Sequence, residues 1–324
     1  MKLKSSRTSS ILMILCLSLV LSLGLLLGQF VFNGSTSYAN AADHPAKHTA
    51  SQAADLTGMT FKVKAKVSGA NTKITWSEAD GADYYKIWRS MAPDGAKEKL
   101  AGKLKKRTFT DQHAKSGQVY VYYVRGFNSS SRTAMCNSGE FTTVTRVYVE
   151  TGHGTGTDGR WDSGCTWNGY QEAKLMIPIA KATCDHLKNN GIYVYTDAYD
   201  GNNRNLNYTL DFLDTHSVSA FLNIHCDAAF EDAGTLPLFR TKKQKKLAKA
   251  LNNGVHEYVS IDDRGLEKRT DLTTLNSSKV HCPACLFETG NIKKDNKTLQ
   301  KKTDEYGLGF AKGLCDYLGL PFTE

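Results

Sequence analysis

The fold of this chain turns on the stretch Val147-Tyr-Val-Glu-Thr-Gly-His-Gly-Thr-Gly156. The apolar run Val147-Tyr-Val149 has the length of a buried strand, and the glycines after it mark a turn. His153 is therefore placed where a strand runs out at the edge of a cleft. Glycines on both sides of the imidazole leave room for an ion and a substrate, and they admit backbone conformations that a residue with Cβ resists. A glycine-flanked histidine is more often a plain loop residue, so the metal-ligand reading needs partners elsewhere in the chain.

Downstream, short apolar strands alternate with amphipathic helices. This is the pattern of an α/β domain, a twisted, mostly parallel sheet flanked by helices. A helix opens at Glu172, with Met176, Ile179, Ala180 and Leu187 at helical spacing and Gly191 as its stop signal. Residues 192–196 read as a strand and the polar run 197–203 as a loop, after which Leu206, Leu210 and Leu213 mark a second helix. A strand over 220–224 is ended by His225, Lys242–Tyr258 is a basic amphipathic helix, 284–288 is the last clear strand and 299–318 the closing helix.

Upstream, from residue 59 to about 143, the period changes to two. Phe61-Lys-Val-Lys-Ala-Lys-Val67 alternates apolar and basic residues, and Asp80-Gly81, Asp94-Gly95 and Ser116-Gly117 punctuate further strand-like runs. This predicts an all-β, immunoglobulin-like sandwich. Ile74-Thr-Trp76, Gly81-Ala-Asp-Tyr-Tyr-Lys-Ile-Trp-Arg-Ser90 and Tyr120-Val-Tyr-Tyr-Val-Arg-Gly-Phe-Asn128 resemble the B, C and F strands of a fibronectin type III module. Inward alternation assigns Trp76 and Tyr120 to the core rather than to a carbohydrate platform.

Residues 1–10 are basic and polar, 11–32 are almost continuously apolar, and Tyr38-Ala-Asn-Ala-Ala42 has small residues at cleavage-like spacing. Residues 1–41 thus read as a secretory signal or, since the apolar run could span a bilayer, as an uncleaved membrane anchor. Either way the remainder is expected to be exported: a tether over 42–58, the sandwich over 59–145 and the α/β domain over 146–324. The 324 residues are 40% hydrophobic and 23% charged, an ordinary globular balance. Of the net charge of +9, the leader's Lys2, Lys4 and Arg7 contribute three, and the remaining +6 suits an anionic polymer surface. No Lys/Arg patch interleaved with stacking aromatics stands out, so nucleic acid is not an expected partner.

Loss of the leader would leave seven of the eight cysteines, so at least one is unpaired in an oxidising compartment. Cys282-Pro-Ala-Cys285 is spaced like a redox pair but runs into a strand rather than a helix. Its expected role is structural, with a disulfide inside the pair or one involving Cys226.

His153, His225 and Glu288 fall at predicted strand ends and Glu172 at a helix start. In an open α/β sheet these edges line one crevice, so the four can converge. Two imidazoles and a carboxylate are the ligand set of a catalytic zinc, and a second carboxylate could take a proton from the attacking water. Their spacing matches no short helical zinc motif. However, Thr151-Gly-His-Gly154, Gln171-Glu-Ala173, Asn223-Ile-His-Cys-Asp-Ala228, Arg264-Gly-Leu266 and Pro283-Ala-Cys-Leu-Phe-Glu-Thr-Gly290 form an ordered set of blocks. Over about 146–320 they resemble the zinc-dependent N-acetylmuramoyl-L-alanine amidases of the amidase 3 type, which are cell-wall hydrolases.

That resemblance implies that His153, Glu172 and His225 bind Zn2+ and that Glu288 is the catalytic carboxylate. It implies a secreted, wall-associated enzyme that cleaves peptidoglycan between N-acetylmuramic acid and L-alanine, with anionic wall polymers as further partners and a membrane only if the leader is retained. A zinc hydrolase of another peptidoglycan amide and a non-catalytic wall-binding or adhesion protein are the alternative readings. The chain departs from the family pattern at Glu150-Thr151, where Asp-Pro is usual, at Cys226, and at Gly290-Asn291, where Gly-Phe is usual. Arg204 is a candidate for the family arginine, but its distance from His225 is awkward, and it is left out of the site.

Overall fold

The computed structural model describes residues 53–324 apart from 93, 157, 199–203, 205 and 229–231. The signal or anchor over 1–41, most of the tether and residues 199–203 of the loop at 197–203 lie outside the described residues. No helix among the described residues is long and apolar enough to cross a membrane.

The alternating region forms two antiparallel sheets. One holds β1 (Val63–Ser68), β2 (Asn71–Trp76) and β5 (Thr108–Asp111). The other holds β3 (Tyr84–Met91), β4 (Glu98–Leu104), β6 (Val119–Phe127) and β7 (Cys136–Thr142), in the order β4-β3-β6-β7. Side chains pointing inward every second residue build one core between them, with Ile74 and Trp76 from the first sheet against Tyr85, Ile87, Tyr120 and Tyr122 from the second. β4 and β7 bear mostly exposed polar residues, so no apolar period announces them in the sequence. Residues 53–58, expected in the tether, lie against this region: Leu56 is 0% exposed, its N–H donates to Ser131 Oγ at 2.9 Å, and the Ala54 carbonyl accepts from Asn128 Nδ2 at 2.6 Å.

The α/β region begins with β8 (Arg146–Thr151), every residue of which is buried. Two short hairpins follow, β9 (Gly154–Thr155) with β10 (Trp161–Asp162) and β11 (Thr166–Trp167) with β12 (Tyr170–Gln171). Then come α1 (Glu172–Asn189), β13 (Tyr193–Thr196), α2 (Leu206–Thr215), β14 (Ala220–Asp227), β15 (Leu236–Phe239) and α3 (Lys242–Tyr258). The chain closes with β16 (Glu267–Lys268), α4 (Thr273–Asn276), β17 (Ala284–Asn291), α5 (Asn296–Lys301) and α6 (Thr303–Leu318). The six-stranded sheet runs β13-β8-β14-β17-β15-β16 and is mixed: β13, β8, β14 and β17 are mutually parallel, and β15 is antiparallel to β17.

Alternation along these strands sorts two cores. Val147, Val149, Leu222, Ile224 and Phe287 face Met176 and Ile179 of α1, Leu247 and Leu251 of α3 and Phe310 of α6. On the other face Tyr148, Phe221 and Leu286 meet Leu213 of α2 and Leu275 of α4. α3 starts where it does because Thr241 and Gln244 form a reciprocal capping box.

Three details differ from the sequence expectations. His225 lies inside β14 rather than ending it, because the strand continues through a bulge to pair Asp227 with Asn291, and Thr289 Oγ1 donates to the His225 carbonyl at 2.7 Å. For the same reason Glu288 lies within β17. The closing helix is two helices that part at Lys302, whose φ of −109° and ψ of 31° leave the helical region.

The two regions are joined at Arg146. Its guanidinium donates to the carbonyls of Ala70, at 2.7 Å, and Ala114, and its N–H donates to Ser116 Oγ at 2.7 Å. Ser116 Oγ in turn lies 2.8 Å from Ser219 Oγ.

Candidate metal centre

The site is assembled where β8 ends. The Gly152 N–H donates to the Ile224 carbonyl at 2.8 Å, which binds the turn to β14. A Cβ on Gly152 would fall 2.3 Å from the His225 ring, so only glycine lets the two strands present their imidazoles together. His153 then adopts φ +65°, a left-handed conformation that costs a non-glycine residue energy and swings its side chain toward His225. The two ring centroids are 5.0 Å apart.

Glu172 opens α1 and is buried beneath both rings. Its Oε1 is 2.8 Å from His225 Nδ1 and its Oε2 is 3.2 Å from His153 Nε2. The Cys226 N–H donates to Oε1 at 3.2 Å and the Cys165 N–H to Oε2 at 2.9 Å, so both oxygens are held by backbone as well as by imidazole. Burial pushes the Glu172 carboxyl up, but the hydrogen bonds and charges of His153 and His225 outweigh it and hold the group well below the usual carboxylate range. His153 responds in the opposite sense. Burial lowers its pKa, yet Glu172 and Asp162 together carry it up to about 9.

Asp162 is a member that sequence reasoning missed. Its Oδ2 sits 2.8 Å from His153 Nδ1, and its Oδ1 accepts the Gly164 N–H at 2.9 Å. Burial raises the Asp162 carboxyl, and the hydrogen bonds to His153 and the Gly164 N–H together with the charge of His153 more than reverse this. A carboxylate on Nδ1 fixes the tautomer and turns the Nε2 lone pair to the site. The hairpin that brings Asp162 back is short and has no apolar period. Only its carboxylate, nine residues after His153 in a glycine-rich stretch, could have signalled it.

Glu288 is the direct cross-strand partner of His225 in the parallel β14–β17 ladder, so the two side chains leave the same face of the sheet about 4.8 Å apart at the backbone. Its Oε2 is buried without a hydrogen-bond partner. Burial, then the charges of Glu172 and Asp227, push its carboxyl well above the usual range. A cavity of about 290 Å³ opens beside the imidazoles, lined by His153, His225, Asp162, Glu150 and Asn223 and walled by Leu206, Leu272 and Leu286. Glu150, where the chain departs from Asp-Pro, is itself buried and its carboxyl is raised, first by burial and then by Asp197.

Of the four residues singled out in the sequence, three come together and Glu288 stands across the ladder from His225. Nitrogen or oxygen atoms of His153, Glu172 and His225 lie within 4.8 Å of one another, close enough to hold a metal ion. The donor set fits zinc, which binds imidazole nitrogen and carboxylate oxygen at about 2 Å. Arg204, left out of the site, packs its guanidinium over the Tyr208 ring. His281 pairs with Asp214 and His256 with Thr235 Oγ1, each at a place that does not touch the centre. The seven described cysteines are all free thiols. Cys285 lies in the α1 core and Cys282 packs against the opposite face of the sheet, so alternation separates the expected pair.

Residues 147–316, just over half of the chain, match the family described as N-acetylmuramoyl-L-alanine amidase, and the chain belongs to that family. Among solved structures it is similar to the N-acetylmuramoyl-L-alanine amidase AmiC2 of Nostoc punctiforme, at 23% identity and a TM-score of 0.48, covering 54% of this chain and 97% of that one. The uncharacterized protein YqiI of Bacillus subtilis strain 168 is 24% identical over 165 residues, 49% of this chain and 76% of its own length. An amylopullulanase of Thermoanaerobacterium saccharolyticum is 35% identical over 72 residues, 22% of this chain, and the chain spans only 6% of that relative's length.

Proposed function

We propose that this protein is an exported, zinc-dependent peptidoglycan hydrolase that cleaves the amide joining N-acetylmuramic acid to L-alanine. The observation that carries the reading is the convergence of His153, Glu172 and His225 on one point beside a cavity, in a chain of this family. Zn2+ held there would supply Lewis acidity, polarising the scissile carbonyl and making hydroxide available near neutral pH. Asp162 would keep His153 in the ligating tautomer, and the Cys165 and Cys226 N–H groups would keep Glu172 aimed at both imidazoles.

Glu288 is assigned as the general base and then the general acid. In the metal-free state burial and neighbouring carboxylates favour its protonated form, and it would ionise once positive charge at the three ligands offsets Glu172 and Asp227. Its carboxylate would then take a proton from the attacking water and return it to the leaving amino nitrogen of L-alanine. The region from 59 to 145 is assigned as a fibronectin type III-like module, and residues 1–41 as the export signal or anchor.

The test is zinc analysis of the purified protein together with mass spectrometry of peptidoglycan digests. Stem peptides with new L-alanine amino termini are expected. Cuts within the stem peptide would make it an endopeptidase, and wall binding with neither metal nor cleavage would make it an adhesion protein. Glu288→Ala is expected to keep its zinc and lose about 10²- to 10⁴-fold in kcat, the usual worth of a general acid–base. Undiminished release of peptides by this variant would exclude Glu288 as the base.

A further inference from the structure

Among the described cysteines, Cys165 and Cys226 lie against each other. Cys165 is partly buried on the segment between β10 and β11, and Cys226 is buried on β14, one residue past His225. Their sulfurs and a Glu172 carboxylate oxygen all lie within 4.8 Å of one another. The Cys165 thiol donates to the Cys226 carbonyl at 3.3 Å, so the two residues already touch. The same two residues supply the backbone N–H groups that hold the two oxygens of Glu172. The segment bearing Cys165 also carries Asp162, on His153 Nδ1, and Gly164, where an added Cβ would fall 2.5 Å from both Glu172 Oε2 and His153 Cδ2. One bond between these sulfurs would tie the segment that bears Asp162, Gly164 and Cys165 to the strand that carries His225.

We propose that Cys165 and Cys226 are a modification site, a dithiol that closes to a disulfide and thereby clamps the backbone cradle of Glu172. The oxidant is an external disulfide, small or protein-borne. The Cys165 thiol gives up its proton and its sulfur attacks one sulfur of that disulfide, forming a mixed disulfide and releasing one thiol. The Cys226 thiol likewise gives up its proton and attacks the Cys165 sulfur, forming the internal bond and releasing the second thiol. The two cysteines lose two electrons and two protons, and the external disulfide gains them. Closing to the 2.05 Å of an S–S bond draws together the two backbone segments whose N–H groups hold Glu172. The effect on metal binding rests on the zinc reading above; the cross-link itself does not.

The experiment treats reduced, purified protein with oxidised glutathione, then maps unreduced peptides by mass spectrometry and measures zinc affinity by chelator competition. The expected result is a peptide pair joined through Cys165 and Cys226, the loss of two titratable thiols, and zinc held about tenfold more tightly than in the reduced protein, the scale of change that outer contacts of metal ligands produce. Cys165→Ser should abolish both responses, whereas Cys282→Ser should leave both in place. Persistent glutathionylation, links among other cysteines, or a thiolate-to-cobalt charge-transfer band in the reduced Co2+ form would overturn the proposal. The peptide map needs no variant, so a misfolded Cys165→Ser does not blunt the test. A cross-linked protein that binds no zinc would sink the metal reading and leave the disulfide standing.

Discussion

Three buried acids of the two regions are held in contrasting ways. In the β-sheet region, buried Asp111 accepts from Arg89 Nη1 at 2.8 Å and from Tyr122 Oη at 3.0 Å, and Arg89 Nη2 reaches Glu98 at 2.6 Å, so each charge meets its opposite. In the α/β region Glu150 Oε1 and Glu288 Oε2 are buried without partners, and both carboxyls are pushed up. A paired acid such as Asp111 fixes local shape. Glu150 lines the cavity and Glu288 stands across from His225, and acids perturbed in this way mark a candidate working site.

The contrast can be broken by substitution. The largest effect is expected from Glu172→Ala, which removes the one group that both imidazoles share; zinc measured by mass spectrometry should fall to background and peptide release should stop. Asp111→Ala should act on the other side of the comparison, leaving buried Arg89 with only the exposed Glu98 carboxylate. It should cost about 3–5 kcal/mol of stability in urea titrations, with kcat per folded molecule unchanged. Parallel loss of kcat would show that the two regions are functionally coupled.

Smaller effects sharpen the picture. Asp162→Asn should weaken zinc binding about 10- to 100-fold by chelator competition while leaving thermal stability near wild type. The last test is pH. His153 has a folded pKa of about 9 against an ordinary 6.5, so in the metal-free protein the stabilisation from its protonated form is complete below 6.5 and is lost as pH rises through about 9. Metal must displace that same proton. Over this window the Tm of the metal-free protein should therefore fall while zinc affinity rises, and a flat affinity profile would show that His153 is not a ligand.

Much of this architecture was legible in the residues. β8 and β17 carry apolar runs, α1 has its apolar stripe and begins at Glu172 as its spacing predicts, and α3 announces itself through Leu247, Leu251 and Val255. What escaped were elements specified by partners rather than by pattern. β15 is four residues long with Pro237 inside it, a residue that ordinarily argues against a strand, and it survives beside β17 in reversed direction. Asp162 returns to His153 through a hairpin of two-residue strands, which leaves no periodic trace. Cys226 looked in the sequence like a partner for the Cys282-Pro-Ala-Cys285 pair, but the β14–β17 register sets Cys285 opposite Leu222, well before Cys226 along the strand, and Cys226 meets Cys165 instead.

The Arg146 junction has a mechanical consequence. Its side chain grips two carbonyls of the β-sheet region while its backbone begins β8, whose far end carries His153. Tension applied through the amino-terminal region would enter the α/β region along the axis of β8, a path of about 20 Å. Because β8 is hydrogen-bonded in parallel to β13 on one side and β14 on the other, that load falls on both ladders in shear, where many bonds resist together rather than parting one by one. The strand that delivers His153 to the site is thus also the molecule's tie rod.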